Sequence, residues 1–272
     1  MPDYLRDTED IDWNQVWRKN TIFPYSQEDW NDRVTSFSER SIDSKYASIF
    51  INFLQPQSQW TVFDMGCGSG TLALPLAALV KTVTAADFSP KMLAALEQYA
   101  RERKIENITP LKLSWLDDWD MISPKSHDIA IASRSMLVGD FRGAVEKLIR
   151  VAEHRVYLAL PVAPPPQYDL AYQGLGRKNR RNPDYSCCYN ILYQMGIRAN
   201  ITILKYFTST LYGSPDEAIS SLMERYENNL DANDAETLRK YINSQLIRDN
   251  AKWRLKTPTL YQCAVIWWEV TW

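Results

Sequence analysis

Apolar residues recur with two different periods between residue 45 and about residue 161, and the two periods alternate along the chain. Short β-branched or aromatic runs predict strands at residues 60–64, 83–87, 108–113, 127–133 and 155–160. Longer segments with apolar positions three or four residues apart predict helices at residues 46–54, 71–80, 90–103 and 141–152. Strands that alternate with helices form parallel sheets covered by helices, so this part of the chain is predicted to be an α/β domain.

The first 44 residues form a separate segment that is polar but rich in aromatic residues. Trp13 and Trp17 lie on one face of a predicted helix, and Trp30 and Phe37 recur at helical spacing further on. This pattern predicts a helical arm over residues 1–44. Two roles are open for it: the arm docks on the main domain through its aromatic side chains, or it forms a lid over a ligand pocket.

The pattern is less regular after Pro161. It predicts strands at residues 201–207 and 262–270, and helices at residues 185–195, from 215 onwards, and 234–249. The main domain is therefore predicted to span residues 45–272, with a helical insertion at about residues 214–250, before the last strand.

The most informative motif follows the first predicted strand. Residues 64–70 read Asp-Met-Gly-Cys-Gly-Ser-Gly, and an acidic residue, Asp87, ends the next strand. A strand, a glycine turn, a helix, a second strand and an acid form the order of a nucleoside-binding βαβ unit. The glycines allow a tight turn and the close approach of a ligand, and the acid can accept hydrogen bonds from ribose hydroxyls.

The spacing of the glycines favours one class of nucleoside ligand over another. A dinucleotide fingerprint would place its third glycine at position 71, which is Thr71 in this chain. A carboxylate two residues before the first glycine, Asp64, would repel a pyrophosphate but would suit a cationic amine. The motif therefore favours the methionine part of S-adenosylmethionine over a nicotinamide or flavin dinucleotide.

Residues 64–70 resemble motif I of the class I S-adenosylmethionine-dependent methyltransferases. Residues 87–93, Asp-Phe-Ser-Pro-Lys-Met-Leu, resemble the next motif of that family, at its usual spacing. The resemblance implies a Rossmann-like, doubly wound sheet of seven mostly parallel strands, with S-adenosyl-L-methionine as the cofactor. The chain departs from the family in that predicted helices within residues 215–249 separate the last two strands, which usually form a hairpin.

The carboxyl ends of the first four predicted strands indicate the cofactor site. The candidate cofactor-binding residues are Asp64, Gly66, Cys67, Gly68, Gly70, Asp87, Phe88, Met92, Ser114, Trp115, Leu116, Ser133 and Arg134. The resemblance implies that Asp64 binds the amine, that Asp87 binds the ribose, and that Phe88 and Met92 contact adenine. The candidate substrate-pocket residues are Trp17, Tyr25, Arg33 and Tyr46.

Two of these candidates have alternative interpretations. Trp115 stands where the family commonly has an adenine-binding acid, so it either flanks adenine or belongs to the core, with Asp117 as another possible reader of the base. Arg134 either binds an acidic substrate or forms a surface salt bridge.

Composition limits the partners and the compartment. Lysine and arginine total 31 against 33 acidic residues, a balance that argues against a general polyanion binder. No run of 18 apolar residues is present, and the N-terminus lacks the pattern of a signal peptide. The four cysteines lack zinc spacing. We therefore expect a reduced, cytoplasmic protein without a metal site or a membrane partner.

The predicted function is methyl transfer to a small-molecule acceptor by in-line displacement. RNA is the alternative acceptor, supported by the basic run Arg177-Lys178-Asn179-Arg180-Arg181, and a non-catalytic cofactor-binding partner protein is a second alternative. The two histidines, His127 and His154, are predicted at the amino ends of strands, so no catalytic base is assigned. The sequence leaves the oligomeric state open.

Overall fold

The computed structural model describes residues 11–21, 26–163, 165–176, 183–224, 226 and 230–270. The strands of this described part are β1 (Thr61–Met65), β2 (Thr82–Asp87), β3 (Ile108–Lys112), β4 (His127–Ser133), β5 (Ala152–Val162), β6 (Asn200–Thr208), β7 (Leu246–Asp249), β8 (Lys252–Leu255) and β9 (Thr259–Glu269). Seven of them form one sheet in the order β3-β2-β1-β4-β5-β9-β6. The predicted α/β fold with a mostly parallel seven-stranded sheet is confirmed.

The sheet changes direction of winding between β1 and β4. β1 pairs in parallel with β2 on one side and with β4 on the other, so that Asp64 lies between Ala85 and Ile131. The next strand in sequence, β3, lies beyond β2, whereas β5 lies beyond β4. Ligands of open α/β sheets bind at the carboxyl ends of the strands at such a reversal. The crevice at this point is formed by the ends of β1, β2 and β4.

The chain divides into two compact units. The first comprises Met1–Pro161, Pro183–Leu204 and Ala264–Trp272, and the second comprises Val162–Asn182 and Lys205–Cys263. The helices of the first unit are α1 (Trp13–Asn20), α2 (Gln27–Asp32), α3 (Val34–Ser41), α4 (Lys45–Leu54), α5 (Ala73–Ala77), α6 (Pro90–Glu102), α7 (Phe141–Val151) and a helix over Tyr185–Gln194. None of the helices in the described part of the chain is long and apolar enough to cross a membrane.

Helix α5 is shorter than the ten residues predicted from the apolar run 71–80. It spans Ala73–Ala77, although Leu74 N and Leu76 N also donate helix-type hydrogen bonds to Gly70 and Leu72. Pro75 lacks the N–H that would continue this ladder, so the segment keeps a helical course without forming a long regular helix.

Helix α1 is part of the core of the first unit. The Trp17 side chain is 1% exposed, and its indole N–H donates a 2.7 Å hydrogen bond to the Val138 carbonyl. The indole also packs against Phe141, with 4.9 Å between ring centroids. Trp17 therefore attaches α1 to the core. The sequence analysis had given Trp17 as a candidate residue of the substrate pocket.

The second unit has an apolar core of its own. Its helices are α8 (Leu170–Leu175), α10 (Pro215–Met223) and α11 (Ala232–Ser244), α9 being the helix over Tyr185–Gln194 in the first unit. Leu222, Leu238 and Ile242 are each at most 1% exposed within this core. The second unit thus buries apolar surface within itself.

The predicted helix over residues 234–249 is wrong at its carboxyl end. Helix α11 stops at Ser244, and β7 then pairs with β8 in an antiparallel hairpin. The two-residue turn between them contains Asn250, whose φ of +56° is a left-handed conformation that asparagine tolerates better than most residues. The helical pattern of the sequence thus continued past Ser244 into the first strand of this hairpin.

We predict that Trp17→Ala lowers the free energy of unfolding by about 3–5 kcal/mol, because it leaves a large cavity in a buried site. Trp17→Phe should cost less, since it keeps most of the apolar contact and loses only the hydrogen bond to Val138. Urea unfolding followed by circular dichroism measures both. A loss below about 1 kcal/mol for Trp17→Ala would show that α1 is not part of the folded core.

Candidate functional site

A cavity of about 610 Å³ opens at the carboxyl ends of β1, β2 and β4. Its volume is typical of a small-molecule site. The sequence-predicted residues that line it are Asp64, Gly66, Cys67, Gly68, Asp87, Phe88, Met92, Ser114, Trp115, Leu116, Ser133 and Arg134. The further lining residues are Trp30, Phe37, Met65, Thr71, Leu72, Ser135, Leu137, Val138 and Gly139.

The remaining candidates lie elsewhere or outside the described residues. Gly70 does not line the cavity; with φ of +100° it packs against the side chains of Leu74 and Leu96. Trp17 is in the core, Arg33 joins α2 to α3, and Tyr46 lies behind Ser133. Tyr25 is outside the residues that the structure describes.

Asp64, in β1, is buried at the cavity floor. Its exposed fraction is 2%, and no described residue donates a hydrogen bond to its carboxylate. Burial, with a smaller contribution from the charge of Asp87, raises its pKa to about 7. A buried carboxylate without a donor is costly, and a cationic ligand group would offset that cost.

Asp87, at the end of β2, is fixed in place by backbone donors. Its two carboxylate oxygens accept hydrogen bonds from Gly68 N at 2.8 Å and from Ser89 N at 2.9 Å. Burial raises the pKa of Asp87, while these backbone donors act in the opposite direction. Each oxygen retains a lone pair, so the carboxylate can still accept hydrogen bonds from a ligand diol.

The glycine turn after β1 needs residues without side chains. Gly66 and Gly68 have φ of +73° and +57°, which other residues rarely adopt. A Cβ at Gly66 would lie 2.2 Å from the Cβ of Ser135, and one at Gly68 would lie 2.7 Å from the Phe37 ring. The turn is therefore enclosed by the loop after β4 on one side and by α3 on the other.

Two polar side chains beside this turn differ in what they can do. Thr71 is 6% exposed and lines the cavity, and no residue in the described part of the chain bonds to its hydroxyl, which could therefore bond to a ligand. The Cys67 thiol is also buried, and burial raises its pKa well above the ordinary value. A neutral thiol of this kind is a weak nucleophile.

The loop after β3 is held in place by several hydrogen bonds. Trp115 stacks on Trp119 with 5.4 Å between centroids and donates from its indole N–H to the Ser135 carbonyl at 3.0 Å. Lys147 donates to the Trp115 and Asp117 carbonyls at 2.8 Å each. Trp115 thus both packs against the core and lines the cavity. The Asp117 carboxylate instead accepts from Ser114 N and closes the turn.

Helices α2 and α3 border the cavity on the N-terminal side. Trp30 and Phe37 contact each other edge to face, with 5.6 Å between centroids, and both line the cavity. The Ser89 hydroxyl, which caps α6, also donates to Asn31 at 2.7 Å. The helical spacing of Trp30 and Phe37 was visible in the sequence, but it did not show which surface these rings cover.

The histidines lie at the opposite ends of the strands. His127 bonds through Nε2 to Thr84 Oγ1 at 2.8 Å, and burial lowers its pKa. His154, Asp128 and Glu153 place ligand atoms within 4.8 Å of one another near the amino ends of β4 and β5. Neither histidine is among the residues that line the cavity.

The site combines a buried acid and a hydroxyl that bond to none of the described residues, a second acid with free lone pairs, and aromatic and apolar side chains. These groups would suit a ligand with a cationic amine, a diol and a flat ring. The groups fit the two ends of an aminoacyl-type nucleoside, because the acids and the hydroxyl border one glycine turn.

Comparison with known proteins identifies a matching family model and several similar proteins. Residues 62–154 match the protein-family model described as "Methyltransferase domain". An uncharacterised protein of Haemophilus influenzae is 29% identical over 249 residues, which cover 89% of this chain and 88% of that protein.

Two solved structures are similar in fold. The YcgJ protein of Bacillus subtilis has a TM-score of 0.55 at 16% identity, over 82% of this chain and 97% of its own. A precorrin-6y C5,15-methyltransferase of Geobacter metallireducens has a TM-score of 0.51 at 10% identity, over 85% and 90% of the two chains.

We predict that Asp64→Asn stabilises the ligand-free protein above pH 7. The pKa of Asp64 is about 7 in the folded protein against an ordinary value of 3.8. The folded state therefore binds a proton that the unfolded chain releases, and stability is lost as the pH rises between these values. The variant should raise the melting temperature more at about pH 8 than at about pH 5.5. An equal change at both pH values would contradict the assignment.

Proposed function

We propose that the chain is a class I S-adenosylmethionine-dependent methyltransferase, that this cavity binds S-adenosylmethionine and that the acceptor is a small molecule; the match of residues 62–154 to a methyltransferase-domain model supports the first part. One observation carries the proposal: Asp64 and Asp87 lie on adjacent strand ends on either side of the glycine turn, both buried and both facing the cavity. Two acids in this arrangement match an amine and a ribose of one ligand.

The residues of the cavity divide the binding between them. Asp64 would take the amine of the methionine part, and Thr71 lines the same cavity. Asp87, held by Gly68 N and Ser89 N, would accept from the ribose hydroxyls. Phe88 and Met92 would contact the adenine ring.

The rim residues complete this assignment. Trp115 would stack beside adenine, because its own ring is fixed by Trp119 and Ser135. Leu116, which is 92% exposed, would cover the outer edge of the base. Gly66 and Gly68 let the ligand lie against the backbone.

For methyl transfer the protein has two main tasks, to align the acceptor with the cofactor and to exclude water from the cavity. When bound, the cofactor supplies a methyl group that is already activated. The chain holds the acceptor in line with that methyl group, and this alignment is its main contribution to the rate of methyl transfer. Trp30 and Phe37 on α2 and α3 exclude water from the same cavity. Since neither histidine lines the cavity, the acceptor is one that needs no histidine base.

A small acceptor is supported by the size and lining of the cavity. The volume of about 610 Å³ leaves room for a compact molecule beside the cofactor. RNA is the alternative acceptor, and the basic run 177–181 that suggested it lies outside the described residues. We also propose a reducing, cytoplasmic location: the structure describes all four cysteines, and none of them forms a disulfide bond.

Asp87→Ala should weaken the binding of S-adenosylhomocysteine about tenfold or more, because it removes two ribose hydrogen bonds of about 1 kcal/mol each. Isothermal titration calorimetry measures the affinity. Glu97→Ala, on an exposed site of α6, is the matched control and should bind like the parent protein. Unchanged affinity in a folded Asp87→Ala protein would refute the ribose assignment.

The affinity for S-adenosylhomocysteine should also depend on pH through Asp64. The cationic amine requires the ionised carboxylate, whose pKa is about 7 before the ligand binds. Affinity should therefore be level above that pH and fall by up to about tenfold for each pH unit below it. Asp64→Asn should bind more weakly at high pH and show no such dependence. A parent protein whose affinity is flat between about pH 5.5 and pH 8 would contradict the role of Asp64.

A further inference from the structure

Arg134 occupies an unusual backbone position at the carboxyl end of β4. Its φ is +58°, in the left-handed region that favours glycine, and its N–H donates a 2.7 Å hydrogen bond to the Ala159 carbonyl of β5. A non-glycine residue keeps such a conformation only where its surroundings fix it. The backbone therefore directs the Arg134 side chain to the cavity, which it lines.

The guanidinium of Arg134 is held against an aromatic ring. Its central carbon lies 4.2 Å from the ring centroid of Tyr46, a residue of α4 that is 2% exposed. The Tyr46 hydroxyl in turn shares a 2.6 Å hydrogen bond with Ser133 Oγ. Stacking occupies the flat face of a guanidinium and leaves its in-plane N–H groups able to bind an anion.

The cavity has an uneven distribution of charge. Asp64 and Asp87 are buried, whereas Arg134 is exposed and is the one basic side chain among the described residues that line the cavity. No ion pair joins Arg134 to an acid among the residues that the structure describes. The salt-bridge interpretation that the sequence left open therefore has no partner in the described chain.

We propose that Arg134 is a specificity-determining residue that binds a carboxylate or phosphate group of the methyl acceptor. This inference rests on the proposed function. A planar guanidinium matches either anion with two parallel N–H···O bonds. Asp64 and Asp87 are assigned to the cofactor. We assign the exposed guanidinium of Arg134 to the second ligand, the methyl acceptor.

The side chains around Arg134 also indicate what the rest of the acceptor molecule is like. Leu137, in the loop that follows β4, is 42% exposed and lines the same cavity, as do Leu116 and Trp30. Apolar surface beside a single fixed cation suits a molecule that has an apolar or aromatic body and one acidic group. Binding of the acid by Arg134 would orient that body relative to the methyl group.

The test begins with the cofactor site alone. S-adenosylhomocysteine is titrated calorimetrically into the parent protein, Arg134→Gln, Arg134→Lys and a control, Lys112→Gln, which removes a positive charge at the end of β3, outside the cavity. We expect all four proteins to bind it with similar affinity. Failure of the parent protein to bind would count against the proposed function, independently of the next step.

The second step titrates the same proteins, with and without S-adenosylhomocysteine, with benzoate, phenyl phosphate and neutral benzamide, followed by nuclear magnetic resonance. We expect saturable binding of at least one anion by the parent and the control, with benzamide at least about tenfold weaker. Arg134→Gln should lose about tenfold in affinity for the anion, and Arg134→Lys should lose less. Preference for benzoate or for phenyl phosphate identifies the acidic group.

Three results would overturn the proposal. The first is that neither anion binds saturably to the parent protein, or that benzamide binds as well as the anions. The second is that Arg134→Gln binds the anions as tightly as the parent. The third is that Arg134→Gln weakens S-adenosylhomocysteine about tenfold while the anions are unaffected, which would assign Arg134 to the carboxylate of the cofactor.

Discussion

The hydrogen bond from Gly68 N to Asp87 joins the glycine turn to the end of β2, and the rest of the site depends on these two parts. It connects the turn after β1 to the end of β2 and fixes the carboxylate at 2.8 Å from the backbone. Gly68 has a left-handed conformation, and a Cβ there would lie 2.7 Å from the Phe37 ring. The position of Asp87, the course of the glycine turn and the packing of α3 are thus one structural constraint.

Burial of the two acids, which the hydrogen bond to Asp87 offsets only in part, lowers the stability of the ligand-free protein. Asp64 and Asp87 are both buried on neighbouring strands, and burial raises the pKa of each. Natural sites commonly sacrifice stability in this way, because groups arranged for a ligand are poorly satisfied without it. The ligand's amine would supply the positive charge that the described residues do not offer to Asp64. Stability and binding should therefore respond to Asp64 in opposite directions.

The N-terminal helices connect the site to the core in two different ways. Helix α1 is anchored through Trp17, whose indole is buried and bonded to Val138. Helices α2 and α3 instead present Trp30 and Phe37 to the cavity, and Asn31 accepts a bond from the cap of α6. We propose that α2 and α3 are the part of the arm that controls the access of ligands to the cavity.

Local patterns predicted most of the strands and the strand-end residues of the cavity, and the family resemblance implied how the strands assemble into one sheet. Motif spacing placed Asp64 and Asp87 on adjacent strands, because parallel strands bring their carboxyl ends to one edge. The same patterns could not place Trp30, Phe37 or Leu137, since these depend on how distant segments pack. Periodicity was also misleading past Ser244, where the chain forms a hairpin whose two strands are joined by a turn at Asn250.

The central claim is that the cavity is a binding site for S-adenosylmethionine and not for a dinucleotide. Calorimetric titration of the purified parent protein with S-adenosylmethionine, S-adenosylhomocysteine and NAD tests it most directly. The account predicts binding of the first two with dissociation constants of about a micromolar order and no heat from NAD. Binding of NAD with no response to either sulfur compound would contradict it.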